Sequence, residues 1–377
     1  MKILQISSAQ VFGGGERHLA DLANSLAARG HEVHAVVRPN SPILGELKLP
    51  GENITTLALR NALDARSASS LAKLVAVRKI EIVHAHMARD YPLAAYAVRR
   101  NPGTRLIVTR HVLFPLNRLH KVTLAHVSRL IAVSHAVARE LQAQALIAPE
   151  KITVIQNGID LKRIADARSR FDRAKFCRRW DLPVESSLVG SIGTLTLLKG
   201  HEDFLQAAAK LQDSTPPAFF IVSGTENAAT KQYRQRLESL IQQLGLTNRV
   251  RLLGRMDDIS ELYCALEVFV SASHSESFGL AIVEAMAAGA AVVATDTAGA
   301  QEIIEDGRSG VLIPIGAVSP MAEEVGRLLV DSRRRKELAD NARRIVNERF
   351  SLERMVAETE AVYIQVLLPK GTVGIVP

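Results

Sequence analysis

The chain reads as α/β, with two parallel sheets, each wrapped by helices. At 377 residues it is long for one core and natural for two domains of ordinary size. Short apolar runs alternate with amphipathic stretches of helical period, the pattern of parallel strands joined by crossover helices. The alternation breaks at a charged segment, Leu161 to Asp181, and restarts afterwards, so we place the linker there. The expected domains are 1–170 and 171–350, with a last helical stretch over 351–368.

In order, KILQIS is the first strand, Val11 to Glu16 a glycine-rich loop, and a helix runs through Arg29 to Gly30 and His31. Gly14 and Gly15 after a strand let backbone approach a ligand at the sheet's C-terminal edge, although the dinucleotide fingerprint is not spelled and a plain turn reads equally well. EVHAVV, Glu81 to His84, Arg105 to Thr109 and Leu130 to Ser134 read as further strands. His111 directly follows one of them, placed to donate a hydrogen bond at the edge where α/β sheets bind ligands. His84 and His86 in VHAHM could sit as metal ligands, but no third ligand is spaced to join them, and no metal is expected. FPLNRLHKVTLAHVSRLI can form a basic amphipathic helix or an ordinary domain helix.

After the linker, SLVGSIGTL is a strand entering a loop that ends at Lys199-Gly200, and His201 to Leu211 is a helix. AFFIVSGTE and RVRLLGRMDD follow as strands with turns, and the last quarter reads as helices over Ser319–Val330, Ser332–Glu348 and Ser351–Leu368. The tail after Pro369 reads as disordered.

The most informative stretch is Ser271 to Glu302. Glu276 falls in a loop after an apolar run; Glu284 lies inside a helix read from Phe278 to Ala288 and ended by Gly289. The N–H groups of Phe278, Gly279 and Leu280, with the positive end of the helix dipole, favour a phosphate. Carboxylates beside a phosphate suit hydroxyls that donate to them, and a nucleotide-sugar carries both groups. Taken singly, either glutamate reads as a solvated surface acid; the pair, its spacing and the intervening Ser277-Phe278-Gly279-Leu280 point to a ligand.

Composition narrows the class. Only Cys177 and Cys264 are present, in no ligand pattern, so a reducing compartment fits better than a disulfide framework. The N-terminus lacks a signal-peptide core and no stretch is long enough to span a bilayer, so a cytoplasmic protein, soluble or peripheral on the inner face of the membrane, is expected. Net charge is +8, but residues 1–170 hold 24 Lys+Arg against 12 Asp+Glu and the remainder 23 against 27. A basic first half suggests contact with an anionic membrane or a phosphorylated acceptor. Nucleic acid is not expected, since aromatics are 4% and no nucleic-acid module is present.

The Glu276 and Glu284 stretch resembles the glutamate pair of the retaining glycosyltransferases of family 4. The Gly-Gly-Gly-Glu opening and Asn157-Gly158-Ile159-Asp160 resemble the same family, and the likeness covers nearly the whole chain. It implies the GT-B fold, two Rossmann-like domains facing across a cleft, with the last helix returning to the first domain. It implies an acceptor-binding first domain and a second domain that binds a nucleoside diphosphate-sugar of UDP or GDP type, transferred with retention to a glycan or lipid-linked acceptor without a metal. Glu276 and His111 would contact the donor sugar, Glu284 the ribose, Lys199 the phosphates, and the turn at Gly254, Arg255 and Met256 the base. Gly14 and Gly15 would lie by the diphosphate. Thr194 stands where the family usually has the arginine that clamps the phosphates together with the lysine, a cation that Arg17 or Arg110 could replace. A sugar-nucleotide epimerase of the same architecture and a non-catalytic binding protein are the alternatives.

Overall fold

Strands buried on both faces need near-continuous apolar runs, and the runs read above become such strands. The computed structural model describes residues 1–213, 216–224, 231–254, 256 and 258–368. They fall into two units, residues 1–157 with the segment from Leu352 onward, and Gly158–Ser351.

In the first unit the strands are β1 (Lys2–Ser7), β2 (Glu32–Val37), β3 (Ile54–Thr56), β4 (Ile82–Ala85), β5 (Arg105–Arg110), β6 (Arg129–Ala132) and β7 (Ile152–Val154). All pair in parallel in the order β3-β2-β1-β4-β5-β6-β7, with Ile3 beside Val33 on one flank and Ile82 on the other. In the second, β8 (Ser187–Ile192), β9 (Ala218–Ser223), β10 (Val250–Leu253), β11 (Val268–Ser271), β12 (Ala291–Thr295) and β13 (Val311–Ile313) pair in parallel as β10-β9-β8-β11-β12-β13. Both orders reverse direction once, between β1 and β4 and between β8 and β11. The crevice beyond the strand C-termini at such a reversal is where open α/β sheets bind ligands.

Each unit has its own core. Ile3, Leu19, Leu22, Ile82 and Ile107 fill the first, and Phe204, Phe220, Val268, Val293 and Leu328 the second. Each such side chain stabilises its unit by about 1.5–3 kcal/mol relative to exposure. As expected, the last helix, Leu352–Leu367, belongs to the first unit: Met355, Val356, Val362 and Tyr363 enter its core beside Leu19 and Leu22. On its polar side, Glu360 accepts from Arg29 at 2.8 Å and lies 2.6 Å from His31 Nε2.

Several expectations change. The unit boundary falls at Asn157–Gly158, ahead of residue 170. The segment read as an irregular linker forms two helices, Leu161–Arg170 and Arg173–Trp180. Asp160 and Asp172 cap them by accepting from Arg163 and Lys175 N–H groups, each at 2.9 Å. The basic amphipathic stretch yields only a short helix, His120–Leu124, because its end at Arg129 joins β6. Helices Ala65–Arg78, Tyr91–Arg99 and Lys231–Gln243 were not placed from sequence. Arg255 and the tail after Pro369 lie outside the described residues. Among the described residues, no helix is long and apolar enough to cross a membrane.

Candidate functional site

In the second unit, the chain leaves β11 at Ser271 and climbs through a loop to the helix Leu280–Ala288. The loop is held from several sides: Gly299 N donates to the Glu276 carbonyl at 3.0 Å, and His274 N to the Leu198 carbonyl at 2.8 Å. Gly279 turns the chain into the helix at φ +114, a conformation that favours glycine. The helix therefore begins at Leu280, two residues later than expected, and ends at Gly289 as read. Ile282 and Val283 N–H groups bond back to Gly279 O, which leaves Leu280 and Ala281 N–H at the positive helix end without intrahelical acceptors. Phe278 is 2% exposed and meets Phe350 edge-on at 5.7 Å, so its ring anchors the loop in the core. Ser277 is half-buried beside it.

Glu276 faces Lys199, whose Nζ lies 2.6 Å from its Oε2. Lys199 closes the short turn Leu197–Lys199 at the C-terminal side of β8, and its stem lies 3.3 Å from where a Cβ on Gly193 would be. Gly200 follows at φ +62, and an added Cβ there would meet Ala272 O at 1.9 Å. The lysine turn and the glutamate loop are thus pressed together at the sheet's reversal point. Glu284 receives Arg163 at 3.1 Å, its side chain 13% exposed. It also accepts from the buried Tyr263 hydroxyl, and burial together with that carboxylate holds the phenol's pKa well above its ordinary value. Arg163 belongs to the segment read as linker, so sequence reasoning missed it. Thr194 and Met256 are half-buried, Met256 just past β10, where Gly254 O accepts from Ser223 Oγ at 3.2 Å.

In the first unit, Gly13 caps the helix Gly14–Ala28, so Gly14 and Gly15 form its first turn and not a loop. Glu16 accepts from Gly13 N at 3.0 Å, its carboxyl pushed up by burial. Gly15 packs on His111, whose ring lies 3.6 Å from where a Cβ would be. Arg17 is held by Glu46 at 3.1 Å and stacks over Phe12, while Arg110 donates to the Phe114 carbonyl.

His111 is not alone. His86 Nδ1 lies 3.3 Å from His111 Nε2, and the His18 ring is 4.8 Å from that of His111. The absence of a third ligand inferred from VHAHM is therefore corrected: His18 and His111 join His86 through the fold. His84 is engaged elsewhere, 2.5 Å from Tyr363 Oη and 2.7 Å from Thr109 Oγ1. Burial pulls the pKa of His18 down to about 4 and those of His84, His86 and His111 well below the usual range. Asp90, also missed, is fully buried and accepts from Ser8 N at 2.8 Å; burial raises its pKa to about 6.

Comparison with known proteins agrees with this architecture. Residues 12–163 match the family model described as Glycosyltransferase Family 4, and residues 172–345 the one described as Glycosyl transferases group 1. The N-acetyl-alpha-D-glucosaminyl L-malate synthase of Bacillus anthracis is 26% identical over 365 residues, covering 92% of each chain. The lipopolysaccharide core biosynthesis glycosyltransferase LpsE of Rhizobium meliloti is 28% identical over 370 residues, 95% of this chain and 96% of that one. Among solved structures, Anabaena HepE in complex with UDP and glucose superposes with a TM-score of 0.84 at 24% identity, over 97% of this chain and all of that one. The chain belongs to the group 1 and family 4 glycosyltransferases, with the two Rossmann-like domains of the GT-B fold.

Proposed function

We propose that this glycosyltransferase moves a sugar from a nucleoside diphosphate-sugar to an acceptor hydroxyl, with retention at the anomeric carbon and without a catalytic metal. The observation that carries the reading is the Lys199–Glu276 pair beside the start of the helix Leu280–Ala288. A carboxylate there would repel a diphosphate; the ammonium 2.6 Å away neutralises it until the donor arrives. Lys199 then turns to the phosphates with the helix N–H groups, and Glu276 is released to accept from sugar hydroxyls. Glu284, held by Arg163 and Tyr263, is set to accept from the ribose hydroxyls. Negative charge on the departing diphosphate is stabilised by preorganised donors, and its oxygen takes the acceptor proton.

UDP complexed to HepE and the lipopolysaccharide role of LpsE support a UDP-type donor and a glycan or lipid-linked acceptor. The first unit, with 22 Lys+Arg against 13 Asp+Glu, exposes Phe114, Leu119 and Val122 beside Arg118 and Lys121, which supports peripheral contact with an anionic membrane. Sedimentation with anionic vesicles at physiological salt should deplete the protein, and charge-reversed Arg118 and Lys121 should reduce it; full recovery in the supernatant ends the membrane reading.

The main test is a thermal-shift panel of UDP, GDP, ADP and their sugar conjugates in EDTA. One nucleotide should stabilise the protein by about 2.7 kcal/mol at a hundredfold excess over Kd, and Glu284→Ala should abolish that shift while remaining folded. Stabilisation that survives Glu284→Ala removes the ribose assignment. A turnover product with inverted anomeric configuration removes the retaining mechanism.

A further inference from the structure

We propose that His18, His86 and His111 form a binding site for a first-row divalent cation, best matched by Zn²⁺, in the first unit. One ring nitrogen from each of the three lies within 4.8 Å of the others. His86 and His111 follow the adjacent strands β4 and β5, and His18 lies in the second turn of the helix that leaves β1.

One pair of nitrogens already has the spacing of a metal site, and hydrogen bonds fix two of the three tautomers. Zinc–nitrogen bonds of about 2.0–2.1 Å in a tetrahedral site put ligand nitrogens roughly 3.3–3.4 Å apart. His86 Nδ1 and His111 Nε2 are 3.3 Å apart already. His18 Nδ1 lies 2.9 Å from the Asn157 side-chain oxygen Oδ1, which places the proton on Nδ1 and the lone pair on Nε2. That Nε2 is buried and has no hydrogen-bond partner, in a residue 3% exposed. His86 Nε2 lies 2.8 Å from the Gln5 side-chain oxygen Oε1, which in the same way turns the Nδ1 lone pair toward His111. Amide oxygens behind two imidazoles thus fix their tautomers and orientations as outer-shell partners of metal ligands do. Neutral imidazole is the ligating form, and burial keeps all three rings neutral at pH 7. Three protein nitrogens leave a fourth position for water, the arrangement of an exchangeable site. The three nitrogens span up to 4.8 Å, so the rings must draw together for one ion to bind all three.

Such an ion would not serve the proposed transfer. It would occupy His111, the residue proposed to contact the donor sugar, and so inhibit. That consequence rests on the function proposed above; the site itself does not.

Full-length protein stripped with a chelator and titrated with Co²⁺ gives a direct readout. An intense tetrahedral visible band should saturate at one ion per chain and be bleached by Zn²⁺. His18→Gln and His86→Gln should remove it, and exposed His126→Ala should not. Gln5→Leu keeps all three ligands and removes only one outer-shell oxygen, so affinity should fall about 10–100-fold. Circular dichroism checks the folding of each variant. No band in the wild type, or a band of equal strength in both folded histidine variants, overturns the site. Zn²⁺ that binds without slowing transfer leaves the site standing and removes His111 from the sugar contact.

Discussion

At the scale of single residues, the candidate donor site is built of charges that answer one another. Lys199 and Glu276 are 28% and 14% exposed and lie 2.6 Å apart, screened enough for their partnership to matter yet open enough to exchange partners. Thr194 carries no charge, and Arg17 and Arg110 are engaged within the first unit by Glu46, Phe12 and the Phe114 carbonyl. Within the described lysine and glutamate loops, Lys199 is therefore the cation to test for phosphate binding. Lys199→Ala should weaken donor binding about 10–150-fold, the equivalent of a charge-assisted hydrogen bond of roughly 1.5–3 kcal/mol. Loss of Tm should be small beside that. Calorimetric titration with the nucleotide-sugar checks it, and wild-type affinity in the variant would move the phosphates elsewhere.

At the scale of elements, glycines set how closely loops approach, and two of them separate backbone strain from collision. Gly200 and Gly245 both have positive φ, +62 and +69. An alanine at 200 would drive its Cβ to 1.9 Å from Ala272 O, whereas at 245 nothing lies within 4 Å. Gly245→Ala should cost only the left-handed penalty, about 1–2 kcal/mol; Gly200→Ala should cost clearly more and weaken nucleotide binding as well. Equal urea midpoints would mean that the lysine turn and glutamate loop do not need their close contact. This also marks what the sequence could disclose. The apolar strands and the Glu276 to Glu284 stretch were legible because each is local, a run or a spacing within one crossover. The helix Leu161–Arg170 was not, since only Ile164 on it is buried and its polar surface reads as linker. His18, His86 and His111 lie in three separate crossovers, and only the parallel order β1-β4-β5 brings them together.

At the scale of the whole molecule, both units bury imidazoles, and this sets a pH dependence of stability. His18, His84, His86 and His111 lie in the first unit and His201 in the second; burial lowers the pKa of each, to about 4 for His18 and His201. The unfolded chain, with histidines near 6.5, therefore binds more protons than the native protein between pH 4 and 6.5. Their contribution is fully present above 6.5 and is lost as pH falls through that window. Asp90 acts in the opposite sense: its native pKa of about 6 lies above the ordinary 3.8, so its ionisation destabilises the fold as pH rises toward 6. Glu16, also raised by burial, acts with Asp90, and two carboxyls against these five imidazoles leave a net loss toward acid. From pH 6.5 to 5, unfolding free energy should fall with a slope above about 1.4 kcal/mol per pH unit, more than one proton. Trp180, the one tryptophan, lies in the second unit and reports its unfolding by fluorescence, while far-ultraviolet circular dichroism follows both units. His201→Gln should flatten the pH slope seen by Trp180 by up to one proton. A slope below one proton in the wild type, or an unchanged Trp180 slope in a folded His201→Gln, would mean that these rings take up protons in the native state.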